Sequence, residues 1–157
     1  MQVARLQARR LLEKINVDGY VTNLHTIISK LGVAIYKTDK LPNNILGSAR
    51  KSKTGKWIII VNSNQIYTRL RFTIAHEIGH IVLNHSNTEP EFYSFFSGGI
   101  TTYKERQANV FATELLMPVP KFKELYFNKG ITSVFDIANY FKVSKQAAEI
   151  RITEIAG

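Results

Sequence analysis

Residues 71–82 read RFTIAHEIGHIV, and they carry the clearest structural signal in this chain of 157 residues. Ile74, Ile78 and Ile81 recur at the three- and four-residue spacing of one apolar helix face. The pattern predicts a long helix from Tyr67 to Asn84, with these isoleucines on its buried side. Polar residues within such a helix are candidates for chemistry.

His76, Glu77 and His80 form an H-E-x-x-H motif on this predicted helix. A spacing of four residues puts both imidazoles on one face, one turn apart, where they can bind a single Zn²⁺. Glu77 lies about 100° further round the helix than His76. It is the expected general base, which takes a proton from the attacking water and passes it to the leaving amine. The motif indicates a metallopeptidase.

A catalytic zinc needs a third protein ligand and an open fourth position. The extended signature H-E-x-x-H-x-x-G-x-x-H fails here, because Leu83 replaces its glycine and Ser86 its third histidine. His85 follows His76 by nine residues, which places it about 180° away if the helix continues. We therefore expect His85 to be a cap or a surface residue, and the third ligand to be a carboxylate.

Glu105 is the best candidate for that carboxylate. It falls on the same predicted helix face as Ala108 and Ala112, and a core-facing carboxylate is costly unless it is paired or bound to metal. The alternative role for Glu105 is an N-terminal acid favoured by the helix dipole. Asn109, one turn further on, could orient a metal ligand by a hydrogen bond.

Three other acidic residues are weaker candidates for the third ligand. Glu114 lies nine residues after Glu105 and so on the opposite side, where it is expected to be an ordinary solvated acid. Glu89 and Glu91 are weaker candidates, in a polar and aromatic segment from Ser86 to Gly99 that is predicted to be a loop or lid.

The rest of the chain predicts an α+β fold with N-terminal helices, a short three-stranded sheet and a helical C-terminal segment. Two amphipathic helices are predicted within the first 31 residues, and Gly32 ends the second. The predicted strands are Val33–Tyr36, Ile45–Lys51 and Trp57–Val61. The later predicted helices are Tyr103–Met117, a short helix after Pro120 and two short helices over 131–156. Residues 1–128 are predicted to form the main domain, with 129–157 as a helical extension packed on it.

The C-terminal segment has the pattern of a helix-turn-helix. Phe141 closes one helix, and Val143 and Ser144 make the turn and the N-cap of the next. A DNA-reading helix usually presents several basic or amide side chains. Those available here are Lys145, Gln146 and Arg151. Packing or substrate docking is favoured over direct DNA binding.

Composition and charge exclude several classes of protein. Hydrophobic residues make up 45% and charged residues 21%, and there is no cysteine, which excludes disulfides, thiolate metal sites and cysteine nucleophiles. No apolar run approaches the ~18 residues of a membrane span, so a soluble cytoplasmic protein with no membrane partner is expected. The net charge is +9, with 13 basic and 3 acidic residues in 1–75. The densest basic run, residues 50–56, is also typical of a solvated hairpin.

Two blocks of sequence, RFTIAHEIGH at 71–80 and ERQANVFATELLMP at 105–118, together resemble the ImmA/IrrE family of metallopeptidases. The resemblance implies a gluzincin-like enzyme with a small zincin-like fold that cleaves a Cro/C1-type helix-turn-helix repressor. Such enzymes are often encoded beside their repressor on a phage, mobile element or stress locus. The resemblance also implies that His76, His80 and Glu105 are the ligands of one catalytic Zn²⁺. It further implies that Glu77 is the base and that Asn109 is a supporting residue.

Two functions from different classes remain open at this point. The leading hypothesis is a zinc endopeptidase acting on a repressor, in which Tyr93, Tyr103 or Tyr126 could donate to the oxyanion. The second is a DNA- or repressor-binding regulator with a non-catalytic metal site. A closed structural site is hard to build here, because only His25 and His85 remain as further nitrogen ligands. This consideration favours the enzyme.

Overall fold

The computed structural model describes residues 1–15, 17–85, 91–96 and 102–157, with the backbone alone for 91–96. Its helices are α1 (Gln2–Glu13), α2 (Leu24–Leu31), α3 (Tyr67–Val82), α4 (Tyr103–Leu116), α5 (Val119–Lys123), α6 (Val134–Phe141) and α7 (Lys145–Ala156). A π-helical turn, Glu124–Asn128, follows α5. The strands are β1 (Ala34–Thr38), β2 (Ile45–Lys51), β3 (Trp57–Asn62) and β4 (Glu91–Phe96). The predicted α+β class is confirmed.

The four strands form one mixed sheet in the order β1-β3-β2-β4. β1 runs parallel to β3, and β2 is antiparallel to both β3 and β4. The three predicted strands are present, but the sheet has a fourth. β4 lies in the segment that was predicted to be a loop or lid, and it pairs Tyr93 with Ala49. Aromatic side chains favour strands, and β2 offers a second edge to pair with, so this part of the loop prediction was wrong.

Helix α3 lies directly against the sheet, and one glycine permits that approach. A Cβ atom on Gly47 of β2 would lie 2.6 Å from the Cγ2 atom of Thr73 on α3. Real carbon atoms do not approach so closely, so the strand must be bare at this point. Helix α3 therefore forms a central layer. The sheet packs against α3, and so does α4.

The N-terminal and C-terminal parts of the chain meet at α4, through a buried acid. Glu114 is 1% exposed, and its Oε1 lies 3.0 Å from Nη2 of Arg151 on α7. Arg9 of α1 reaches the other carboxylate oxygen at 3.4 Å. The expectation that Glu114 is a solvated acid was therefore wrong. Helix periodicity placed it away from Glu105, but α1 and α7 cover that side.

Helices α6 and α7 form a pair joined by a short turn, with Ser144 capping α7 through its side chain as predicted. Arg151, however, is buried, and its guanidinium donates to the Met117 carbonyl oxygen at 2.8 Å. It was one of three residues offered for contact with DNA, and burial removes it from that set. Lys145 and Gln146 remain exposed. The boundary between residues 128 and 129 stays a prediction.

Within the described ranges, no helix has both the length and the apolar character needed to cross a membrane.

Candidate metal centre

His76, His80 and Glu105 bring one ligand atom each to a common point between α3 and α4. These atoms all lie within 4.8 Å of one another. The Nε2 atoms of the two histidines are 3.1 Å apart, and the Glu105 oxygens lie 3.0 Å from His76 Nε2 and 2.7 Å from His80 Nε2. Both histidines are fully buried, whereas the Glu105 side chain is 19% exposed. The centre therefore has buried walls and one side that faces solvent.

The approach of α4 to α3 depends on Gly79, which lies between the two histidines of the motif. A Cβ atom there would lie 3.1 Å from Phe111 Cδ1 and 3.3 Å from the Ala108 Cα atom. The absent side chain lets the two helices pack closely. Glu105 lies in the first turn of α4, where the Thr102 hydroxyl caps its backbone N–H. This position brings its carboxylate to the two imidazoles.

Asn109 holds the ring of His76 from behind. Its Oδ1 lies 2.7 Å from His76 Nδ1. A carbonyl oxygen can only accept a hydrogen bond, so Nδ1 carries a proton, and Nε2 would be the atom that binds a metal ion at the centre. The sequence predicted that Asn109 could orient a metal ligand without saying which one, and the structure places its side chain against His76.

His85 is not a surface residue. It is 8% exposed, and its Nδ1 lies 2.9 Å from Nδ1 of His80. The helix ends at Val82, and Asn84 takes a left-handed conformation with φ 49°. The chain then folds back instead of continuing round the axis, so an angle calculated for an unbroken helix does not apply. The asparagine is a sequence signal for such an ending and could have indicated it.

Glu77 is the second buried acid of the centre, and it has an unusual environment. Both carboxylate oxygens are buried, and neither has a hydrogen-bond partner among the residues that the structure describes. Burial, with the charge of Glu105 as a second cause, raises the pKa of Glu77 well above its ordinary value of 4.5. Burying a carboxylate without a partner costs on the order of several kcal/mol. A nearby cation or a bound water molecule could offset that cost.

The other titratable groups of the centre shift in the opposite direction. Burial acts to raise the pKa of Glu105, but hydrogen bonds from His76 and His80 outweigh it and lower that pKa to about 2. Burial is the main cause that lowers the pKa of His80, and it also lowers the pKa of His85 to about 4. These shifts favour a neutral His80 and an ionised Glu105, and divalent metal binding requires ligands in those two states.

The donor set and the Glu77 carboxylate fit a divalent metal. Two imidazole nitrogens and one carboxylate oxygen suit zinc, and they leave a position for another ligand. Of the weaker candidates, Glu89 lies outside the described residues, and Glu91 belongs to β4, whose side chains are not described. Nothing in the described part of the chain gathers another group of three ligands.

The tyrosines considered for the oxyanion lie in different places. Tyr103 begins α4, two residues before Glu105, and is 57% exposed. Tyr126 stacks on Phe122 with the ring centroids 5.4 Å apart. Tyr93 is in β4, and its side chain is outside the description. The stacking engages the ring face of Tyr126 and not its hydroxyl, so all three tyrosines stay candidates.

Comparison with known proteins places this centre in a family. The model of peptidase family M78, described as the IrrE N-terminal-like domain, matches residues 28–153, which is most of the chain. The chain therefore belongs to this family of metallopeptidases, and the family prediction made from the two sequence blocks is confirmed.

Two relatives show how far the similarity extends. The radiation response metalloprotease IrrE of Deinococcus radiodurans is 33% identical over 101 residues, which cover 62% of this chain and 31% of that protein. The chain thus spans about a third of the length of the relative. A solved structure of a Mycobacterium tuberculosis transcriptional regulator matches 98% of this chain and 47% of its own, with a TM-score of 0.66 and 15% identity. That second likeness concerns the fold alone.

Proposed function

We propose that this protein is a zinc-dependent endopeptidase that cleaves a Cro/C1-type helix-turn-helix repressor and so relieves repression of a phage, mobile element or stress regulon. The observation that carries the proposal is the meeting of His76, His80 and Glu105 beside the unpartnered carboxylate of Glu77. The family is one of metallopeptidases, and a relative bears the name of a radiation response protease. A regulatory protein as substrate is consistent with that name.

In this proposal, His76, His80 and Glu105 hold the zinc ion, and Asn109 orients His76. Zinc, when bound, supplies Lewis-acid chemistry to the scissile carbonyl and to the attacking water. Glu77 accepts the proton from that water and later donates it to the leaving amine. Tyr93, Tyr103 or Tyr126 would donate to the oxyanion.

The first test is the zinc content of the purified protein, measured by elemental analysis. We expect about one zinc per chain, since three donors meet at one point. Glu105→Ala should lose most of the metal at a chelator concentration that the wild type withstands. Glu149→Ala is the control, because Glu149 is an exposed acid on α7. Glu114 does not serve as a control, because it is buried and paired. A wild type that takes up no zinc on reconstitution would overturn the proposal.

The second candidate function is a DNA-binding regulator with a non-catalytic metal site. The exposed Lys145 and Gln146 in the first turn of α7 favour it, whereas the buried Arg151 does not. Gel-shift titration at several salt concentrations separates the two functions. DNA binding that is tight, sequence-dependent and steeply weakened by salt would favour the regulator. Weak binding that is insensitive to sequence, together with repressor cleavage, would favour the peptidase.

A further inference from the structure

The end of helix α3 folds back onto the metal centre through a specific hydrogen-bonded turn. The N–H of Asn84 donates to the Ile81 carbonyl oxygen at 3.1 Å, and the N–H of His85 donates to the His80 carbonyl oxygen at 3.4 Å. These two bonds around a left-handed residue are the Schellman arrangement. Its effect here is to lay the ring of His85 against the ring of His80, with the centroids 5.1 Å apart.

A chain of hydrogen bonds then runs outward from His80. His85 Nδ1 lies 2.9 Å from His80 Nδ1, and His85 Nε2 lies 3.0 Å from Gln107 Oε1. The Gln107 oxygen can only accept, so the Nε2 atom of His85 carries its proton. In a neutral ring Nδ1 is then bare and accepts the N–H of His80 Nδ1. The Nε2 atom of His80, 2.7 Å from Glu105, would then be the atom that binds a metal ion at the centre.

Helix α4 supplies the partner that fixes each imidazole. Asn109 contacts His76 directly, and Gln107 acts on His80 through His85. Lys104, also on α4, donates from Nζ to the His85 carbonyl oxygen at 2.8 Å and ties down the turn itself. A ligand ring that is held by a second hydrogen bond has one tautomer and one orientation, which strengthens metal binding.

We propose that His85, held by Gln107, is a positioning residue that sets the tautomer and orientation of the metal ligand His80. The inference rests on the proposed function, since it takes the meeting point of His76, His80 and Glu105 as the zinc position. It assigns to His85 no contact with the metal or the substrate. Its consequence is that zinc affinity depends on a residue outside the H-E-x-x-H motif.

The experiment measures the zinc dissociation constant by chelator competition and the visible spectrum of the Co²⁺-substituted protein. We expect His85→Ala to weaken zinc binding by about 10- to 100-fold and to alter the Co²⁺ bands, because the His80 ring loses its constraint. His85→Asn should recover most of the affinity, since Oδ1 can occupy the position of Nδ1 and accept from His80. His25→Ala is the matched control, because His25 is exposed on α2, and it should bind as the wild type does.

The outcomes separate this inference from the proposed function. If the wild type binds zinc and a folded His85→Ala protein binds it equally well with an unchanged Co²⁺ spectrum, the positioning role is overturned and the peptidase proposal stands. If the wild type itself binds no zinc, both fail. Should His85→Ala not fold by circular dichroism, Gln107→Ala provides the test. For Gln107→Ala, a measurable loss of zinc affinity, even one smaller than tenfold, supports the positioning role of His85. Wild-type affinity overturns it.

Discussion

Glu77 is buried on every side, yet neither of its oxygens has a hydrogen-bond partner within the described part of the chain. A carboxylate in that position lowers the stability of the fold, and its pKa is raised for the same reason. Apolar residues of similar size would stabilise the helix core better at no structural cost. Packing therefore does not explain the residue, and the proposed role of Glu77 as the base would.

The Glu77→Gln substitution tests that explanation. The amide preserves shape but cannot take a proton, so we expect zinc content to stay at the wild-type level while repressor cleavage falls by about 10²- to 10⁴-fold. Cleavage is measured by gel electrophoresis against purified Cro/C1-type helix-turn-helix repressors, the substrate class of the proposed function. Glu149→Gln is the control and should cleave normally. Cleavage by Glu77→Gln at the wild-type rate would exclude Glu77 as the base.

At the scale of elements, the centre depends on the contact between α3 and α4. Two of its three candidate ligands lie on α3 and the third on α4, so the spacing of the helices sets the distance between His80 and Glu105. Gly79 determines that spacing, because any side chain there would press on Phe111 and Ala108. The H-E-x-x-H motif allows any residue at the position of Gly79, but in this chain the contact between α3 and α4 disfavours a larger one.

We expect Gly79→Val to lower the free energy of unfolding by about 1–3 kcal/mol, because it overpacks the contact between the two helices. Zinc affinity should fall as well, since Glu105 is pushed away from the histidines. Gly79→Ala should cost less, because a methyl group needs smaller shifts and alanine favours the helix. Urea denaturation and chelator competition measure the two effects. A valine variant as stable as the wild type would show that the contact is not tight.

For the whole molecule, the cluster of Glu114, Arg151 and Arg9 connects distant parts of the chain. It joins α1, α4 and α7, and Arg151 also donates to the Met117 carbonyl oxygen. Arg151 and Glu114 are both almost completely buried. Removing one member of such a pair leaves an uncompensated charge in the interior, which is far more costly than the loss of a surface ion pair.

We expect Arg151→Ala to destabilise the protein by about 3 kcal/mol, the lower end of the range for a broken buried pair, because Arg9 still reaches Glu114. The double substitution Arg151→Met with Glu114→Leu should recover most of that loss, since no buried charge is then left unpaired and Arg9, whose side chain is 50% exposed, is solvated by water. Glu149→Ala on the same helix should change stability by less than about 0.5 kcal/mol. Thermal and urea unfolding measure all three. An Arg151→Ala protein of wild-type stability would contradict this account.

The sequence alone determined what depends on local spacing. The helix periodicity of residues 67–82 and 103–116, the shared face of His76 and His80, and the inward position of Glu105 all follow from 3.6 residues per turn. Three strands and most element ends were predicted in the same way. The family was recognisable because its two motifs lie within such regular segments.

Only the tertiary structure decided the rest. His85 faces the centre because the chain reverses at Asn84, and Glu114 is buried because α1 and α7 cover it. β4 exists because β2 offers an edge to pair with. Each of these depends on contacts between segments distant in sequence or on the end of a helix, where periodicity no longer applies. Local patterns carry no information about which surfaces other segments will cover. For that physical reason the sequence alone could not predict these three features.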